Sequence, residues 1–154
     1  MTKAASVREL KRARFIAVQS LYQWAIARPT KAELLAHARV DNPKNPPSWV
    51  FFDELVSGVL GNYASLDELY SFGLDRPIEQ VSPIEKAILR LGTFELRELF
   101  QTPVAVVLNE YVQLAKQFGA QDSFKFINSV LQQVASTSRV TELKDTNASQ
   151  LDPP

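Results

Sequence analysis

The chain contains no cysteine, which excludes disulfides, thiolate metal ligands and a cysteine nucleophile, and fits a reducing compartment. It contains one histidine, His37, set between Ala36 and Ala38 on a short predicted helix, where it reads as a solvated or packed side chain rather than a general base. No cluster of histidine and carboxylates has metal-ligand spacing, and neither a Gly-x-x-x-x-Gly-Lys phosphate loop nor a Gly-x-Ser-x-Gly elbow occurs. Asp53-Glu54 and Asp67-Glu68 are sequence neighbours, so on a helix their side chains splay ~100° apart and neither pair forms a shared-proton dyad. No enzyme activity, cofactor or metal is therefore expected. No apolar run approaches the ~20 residues of a membrane span, and the first residues lack the apolar stretch and small-residue cleavage site of a signal peptide. The cytoplasm is the expected compartment. Two-residue alternation of apolar and polar residues persists nowhere, which argues against strands and leaves an all-α fold.

What is present is unevenly charged. The chain is neutral overall, with 17 basic and 17 acidic residues. Residues 1–28 nevertheless carry Lys3, Arg8, Lys11, Arg12, Arg14 and Arg28 against Glu9 alone, while residues 48–80 carry Asp53, Glu54, Asp67, Glu68, Asp75 and Glu79 against Arg76 alone. A dipolar molecule of this kind offers one face to a polyanion and another to a basic partner. At 154 residues with 45% hydrophobic content, the chain can build one domain or two small bundles sharing an interface.

Helices are predicted nearly throughout. Ser6 is a plausible N-cap, and Val7, Leu10, Ala17, Leu21 and Ala25 recur at helical spacing, giving an amphipathic helix over 7–27 that stops near Pro29. Thr30 and Glu33 make a capping box for a helix over 31–40. The prolines of 42–47 force a loop. Ser48 caps an apolar helix from Trp49 to about Tyr63, followed by another turn or two around Leu66, Leu69 and Tyr70. After a joint at 73–81, Ser82-Pro83-Ile84-Glu85 combines an N-cap, a first-turn proline and a reciprocal Glu. The helix it starts runs to about Leu99 and is apolar almost all round, as a central buried helix would be. Thr102-Pro103 repeats the cap-and-proline start for a helix that Gly119 ends, and Asp122 or Ser123 caps a last helix. About seven helices result, divided into an N-terminal subdomain over 1–75, a C-terminal subdomain over 76–137 and a disordered tail over 138–154.

On a wheel of ~100° per residue, Leu10, Ala17 and Leu21 point the first helix to the core. Arg8, Arg12, Gln19 and Gln23 point away, with Phe15, Tyr22 and Ile26 on or beside that outward face and Lys11 between. Exposed aromatics beside cations suit stacking on unpaired bases while the cations hold phosphates; the competing reading is that another helix covers Phe15 and Tyr22. Arg14 falls on the core side, near a helix end or paired with an acid. Between Gly119 and Ser123, free backbone N–H groups and a positive helix end lie together, a natural place for an anionic group, or simply a tight helix-helix turn.

Several separate blocks carry a family resemblance. Lys11-Arg12-Ala13-Arg14, Ala17-Val18-Gln19 and Leu21-Tyr22-Gln23-Trp24 open the chain. Glu85-Lys86-Ala87-Ile88-Leu89-Arg90, Glu95-Leu96, Pro103-Val104, Asn109-Glu110 and Leu114-Ala115-Lys116 occupy its middle. Gly119-Ala120-Gln121-Asp122-Ser123, Lys125-Phe126-Ile127-Asn128 and Val130-Leu131 close it. In this order and spacing, over roughly residues 8 to 135, the chain resembles the bacterial transcription antitermination factor NusB family. The resemblance implies two packed helical bundles that bind single-stranded boxA RNA of ribosomal RNA operons with NusE, a small-subunit ribosomal protein, and load onto RNA polymerase in an antitermination complex. It implies RNA contacts by Lys11, Arg12 and Arg14 with Gln19 and Tyr22 beside them, a second part of the same surface at Asp122, Lys125 and Phe126, and a contact of Glu85 with the basic partner. Two departures stand out: Glu9 and Leu10 interrupt a basic run that is usually denser in arginine, and Phe124 stands where a polar residue is common. The alternatives are a homodimeric helical interaction protein that hides its basic face, and a module similar to the N-terminal domain of ribosomal RNA cytosine methyltransferases, for which no methyl-donor domain is expected within 154 residues.

Overall fold

The computed structural model describes residues 4–143. Six α-helices and one short 3-10 helix follow in chain order: α1 (Val7–Ala27), α2 (Lys31–Asp41), α3 (Trp49–Ser71), the 3-10 helix Ile78–Gln80, α4 (Pro83–Glu98), α5 (Val104–Phe118) and α6 (Ser123–Ser138). Among the described residues there is no strand. Capping boxes close the N-termini of α1 (Ser6 with Glu9), α2 (Thr30 with Glu33) and α4 (Ser82 with Glu85), each satisfying orphan N–H groups reciprocally. Glu9, which interrupts the basic run, thus starts the helix that carries it.

α4 is the hub. It packs against α1 and α3 on one side and α5 and α6 on the other, and ten consecutive residues, Ala87 to Leu96, are buried. One continuous apolar core runs from Ala13 and Ile16 through Phe52, Leu55, Leu66, Ile88 and Leu89 to Ile127 and Val134. Close contact with the hub requires a small residue on α3: a Cβ on Gly58 would lie 2.1 Å from the Phe94 ring.

Three expectations are corrected. α3 does not break near Tyr63 but continues to Ser71; its last turns are held by buried Leu66 and Tyr70 and by Asp67, which accepts two hydrogen bonds of 2.8 Å from Arg90. At the start of α5, Pro103 occupies the cap position and no side chain of the expected Thr102-Pro103 signal caps; the Val104 N–H is instead taken by Glu142 Oε2 at 2.8 Å. The tail does not begin at residue 138. Arg139 is 2% exposed and donates to the carbonyls of Glu95, Leu96, Leu99 and Thr102 at 2.6–3.0 Å, satisfying the C-terminal carbonyls of α4. Of the tail expected over 138–154, residues 144–154 lie outside the described residues.

Candidate nucleic-acid interface

The outward face of α1 meets the C-terminal half of α5. Phe15 packs against Phe118 with ring centroids 4.8 Å apart and planes tilted by 37°, and an open groove between the helices is lined by Arg8, Lys11, Arg12, Phe15, Gln113 and Gln117. Further along, Gln19 and Tyr22 of α1 share a hollow with Ile84 of α4 and Phe118 of α5. Phe118 is the residue before Gly119, so the basic helix and the turn over 119–123 border the same surface. The competing readings of the rings divide: Phe15 is half-buried against the core and touches Phe118, whereas Tyr22 is 43% and Ile26 61% exposed.

Two arginines are held without losing their charge. Arg8 donates to the Oδ1 of Asn45 and Arg12 to that of Asn42 at 2.8 Å. Both acceptors are neutral amides in the loop before α3, so they fix the guanidinium groups and leave their positive charge for a phosphate. Neither asparagine is visible as a site residue from sequence, since they sit in a proline-rich connection 30 and 37 positions from their partners and carry no local signal. Lys11 instead meets Glu110 at 2.7 Å, which offsets part of its charge.

Arg14 is corrected. It is 4% exposed and forms a two-bond pair with buried Glu95, 2.6 and 3.0 Å, while Tyr111 Oη donates to the same carboxylate at 2.5 Å. Burial opposes the guanidinium charge most strongly of any single influence, but the bond to Glu95 and the surrounding acidic groups, Tyr111, Glu95 and Glu110, together outweigh it and hold Arg14 more firmly protonated than an ordinary arginine. The wheel placed this residue correctly on the core side; the RNA contact implied by the resemblance is not available to a side chain enclosed in this way.

The turn is tight. Gly119 has φ −85°, a conformation open to any residue, but a Cβ there would sit 2.7 Å from Ser123 and 2.8 Å from the Ala115 carbonyl. Glycine is needed for that approach. Asp122 adopts a left-handed conformation, φ 68°, and makes no side-chain cap, so the expected cap is absent and its carboxylate is exposed, 3.5 Å from Lys125. Such an exposed pair is weak and leaves both groups able to exchange partners. Phe126 turns toward the α3–α4 connection, where Arg76 lies over its ring at 4.1 Å. Glu85 ties the neighbouring helix starts together: Oε1 accepts from the Ser82 N–H and hydroxyl at 3.3 and 3.0 Å, and Oε2 from the Ser123 hydroxyl at 2.8 Å.

A sequence model of the NusB family matches residues 11–136. The chain belongs to the NusB family. Membership carries that family's role, transcription antitermination. The transcription antitermination protein NusB of Idiomarina loihiensis is 41% identical over 131 residues, covering 85% of this chain and 94% of that protein; that of Alcanivorax borkumensis is 42% identical over 135 residues, covering 88% and 90%. Among solved structures, T. maritima NusB superposes with a TM-score of 0.77 at 22% identity, covering 94% of this chain and 99% of the other, a likeness of fold. A crystal structure of antitermination factors NusB and NusE in complex with double-stranded RNA also gives 0.77, at 26% identity over 85% of this chain and 98% of its own. Among the described residues, no helix is long and apolar enough to cross a membrane and no group of three or more His, Cys, Asp and Glu residues is placed to hold a metal ion.

Proposed function

We propose that this chain binds the single-stranded boxA element of ribosomal RNA operons together with NusE, and does so without catalysis, in the cytoplasm, as part of the complex that keeps RNA polymerase processive. The observation that carries this reading is the convergence of α1 and the α5–α6 turn on one surface, through Phe15, Phe118, Gln19 and Tyr22. Lys11 and Arg12, with Arg8 beside them, hold phosphates; Tyr22 and Gln19 meet bases; Asp122, Lys125 and Phe126 continue the track. Exposed Tyr22 supplies a stacking face worth ~1–3 kcal/mol per base, and Asp122 an acceptor for base amino groups. The basic partner seats beside Glu85, at the edge of the hollow lined by Ile84.

A gel shift with boxA RNA and a scrambled control, each with and without NusE, tests the proposal. Selective retention of boxA that strengthens with NusE is the expected result, and equal retention of both RNAs overturns it. The competing homodimer, in which exposed Tyr22 and Ile26 cover one another, is separated by light scattering. A monomer that gains mass with RNA supports RNA binding; a dimer indifferent to RNA supports self-association.

A further inference from the structure

On the far flank of α5 lies a second groove, formed with α6 and lined by Leu108, Asn109, Val112, Lys116, Phe124 and Asn128, with Lys125 at its edge. It holds about 360 Å³. We infer that this groove is a second seat for unpaired RNA, taking nucleotides that flank the element bound at α1 and the turn; the inference rests on the RNA-binding reading above. Phe124, half-buried, presents its ring between two ammonium groups, Lys116 Nζ at 4.9 Å and Lys125 Nζ at 5.9 Å from the centroid. Leu108 and Val112 complete an apolar floor, and the carboxamides of Asn109 and Asn128 supply both donors and acceptors. No Asp or Glu is among the lining residues.

This combination matches a nucleotide part by part. A base needs a π-face and edge partners, and its phosphates need cations. An acidic peptide satisfies the lysines and pairs its backbone with the carboxamides, but offers the ring no flat π-face. Charge thus favours a polyanion, and the ring favours one that carries bases. Continuity favours the same RNA rather than another, because Lys125 belongs both to this groove and to the Asp122–Phe126 block. A strand that leaves the turn past Lys125 enters the groove directly.

The test uses the full chain with NusE and measures affinity by fluorescence anisotropy for three RNAs: the boxA element alone, and the same element extended by three unpaired pyrimidines at one end or the other. One extension is expected to tighten binding by about fivefold or more, the lower limit for one base stacked on an aromatic ring. Phe124→Leu, which keeps apolar volume at a half-buried position, and Lys116→Gln, on the surface, are each expected to reduce that gain while leaving the affinity for the short RNA unchanged. A thermal unfolding curve for each variant checks that it folds. Absence of a gain from either extension, or a gain that survives both substitutions, overturns the second seat while binding of the short RNA still stands. Failure of the short RNA to bind removes both readings. Binding of a polyglutamate peptide that both substitutions abolish, with no gain from extension, overturns the inference in favour of an acidic protein partner.

Discussion

Lys11 and Arg14 stand one helical turn apart on α1 and meet opposite fates. Lys11 reaches solvent beside Glu110, whereas Arg14 closes a buried triad with Glu95 and Tyr111. Removing one partner of a buried pair strands the other's charge, which costs about 3–5 kcal/mol. Arg14→Ala is therefore expected to lower the urea-unfolding free energy by about that amount without changing the salt dependence of RNA binding in the fraction that remains folded. A small loss of stability with a flattened salt dependence would return Arg14 to the RNA surface. The same triad makes the fold sensitive to alkali. Burial first, and then the negative charge of Glu95, raise the Tyr111 pKa well above its ordinary value of 10.0; burial and then Asp67 raise that of Tyr70. Below about pH 10 both folded and unfolded chains keep these protons and stability is undiminished. Above it the unfolded chain releases them and the folded one does not, so stability falls by about 1.4 kcal/mol per pH unit for each tyrosine. Urea midpoints measured from about pH 9 to pH 11 should fall on the alkaline side. In Tyr111→Phe the curve should start lower, for want of the bond to Glu95, and fall less steeply.

At the scale of elements, the α4 start is where fold and site are joined, because one carboxylate, Glu85, braces Ser82 of its own cap and Ser123 of α6. Glu85→Ala should lose both braces, cost about 1–2 kcal/mol on the scale of a lost cap, and weaken RNA and NusE binding together as the turn loosens. Glu85→Gln keeps an acceptor for Ser82 and can donate to Ser123, so it should cost under about 1 kcal/mol while weakening NusE alone. Calorimetric titration of both ligands separates the outcomes, and equal losses in the Gln variant would remove Glu85 from the partner surface. Helix starts such as this one were legible in the sequence because capping boxes are local: Ser6, Thr30 and Ser82 each declare themselves within four residues. The length of α3 was not. Gly58, Gly61 and Asn62 are weak helix formers, and the helix persists through contacts made elsewhere, Phe94 seated over Gly58 and Arg90 on Asp67. The same division runs through the site. The periodicity of α1 marked its outward face and sent Arg14 inward, but the partners that decide each cation's use, Glu95, Glu110, Asn42 and Asn45, lie thirty to ninety-nine positions away.

Across the whole molecule, the sequence dipole is partly answered on folding. Of the acids in 48–80, Asp53, Asp67 and Asp75 meet Arg39, Arg90 and Arg76; on the basic side Arg14 meets Glu95 and Lys11 meets Glu110. What stays positive on α1 is the pair fastened by amides, Arg8 and Arg12. Counterion release then ranks the cations. On a single strand the logarithm of affinity falls against that of salt by ~0.7 per phosphate contact, so Arg8→Ala with Arg12→Ala should flatten the slope by about 1.4. Lys11→Ala should flatten it by less than one contact's worth, since Glu110 already neutralises part of that charge. Position and charge can be separated as well. Asn42→Ala with Asn45→Gly leaves both guanidinium groups on α1 but frees them from the loop, and glycine accommodates the left-handed backbone at Asn45, φ 55°. The salt slope should then keep its full value while affinity at any one salt concentration drops, because two arginine side chains must be ordered on binding at about 0.5–1.5 kcal/mol each. A slope that fell with the affinity would mean that the loop contributes charge-coupled contacts of its own, and that the amides do more than hold the arginines in place.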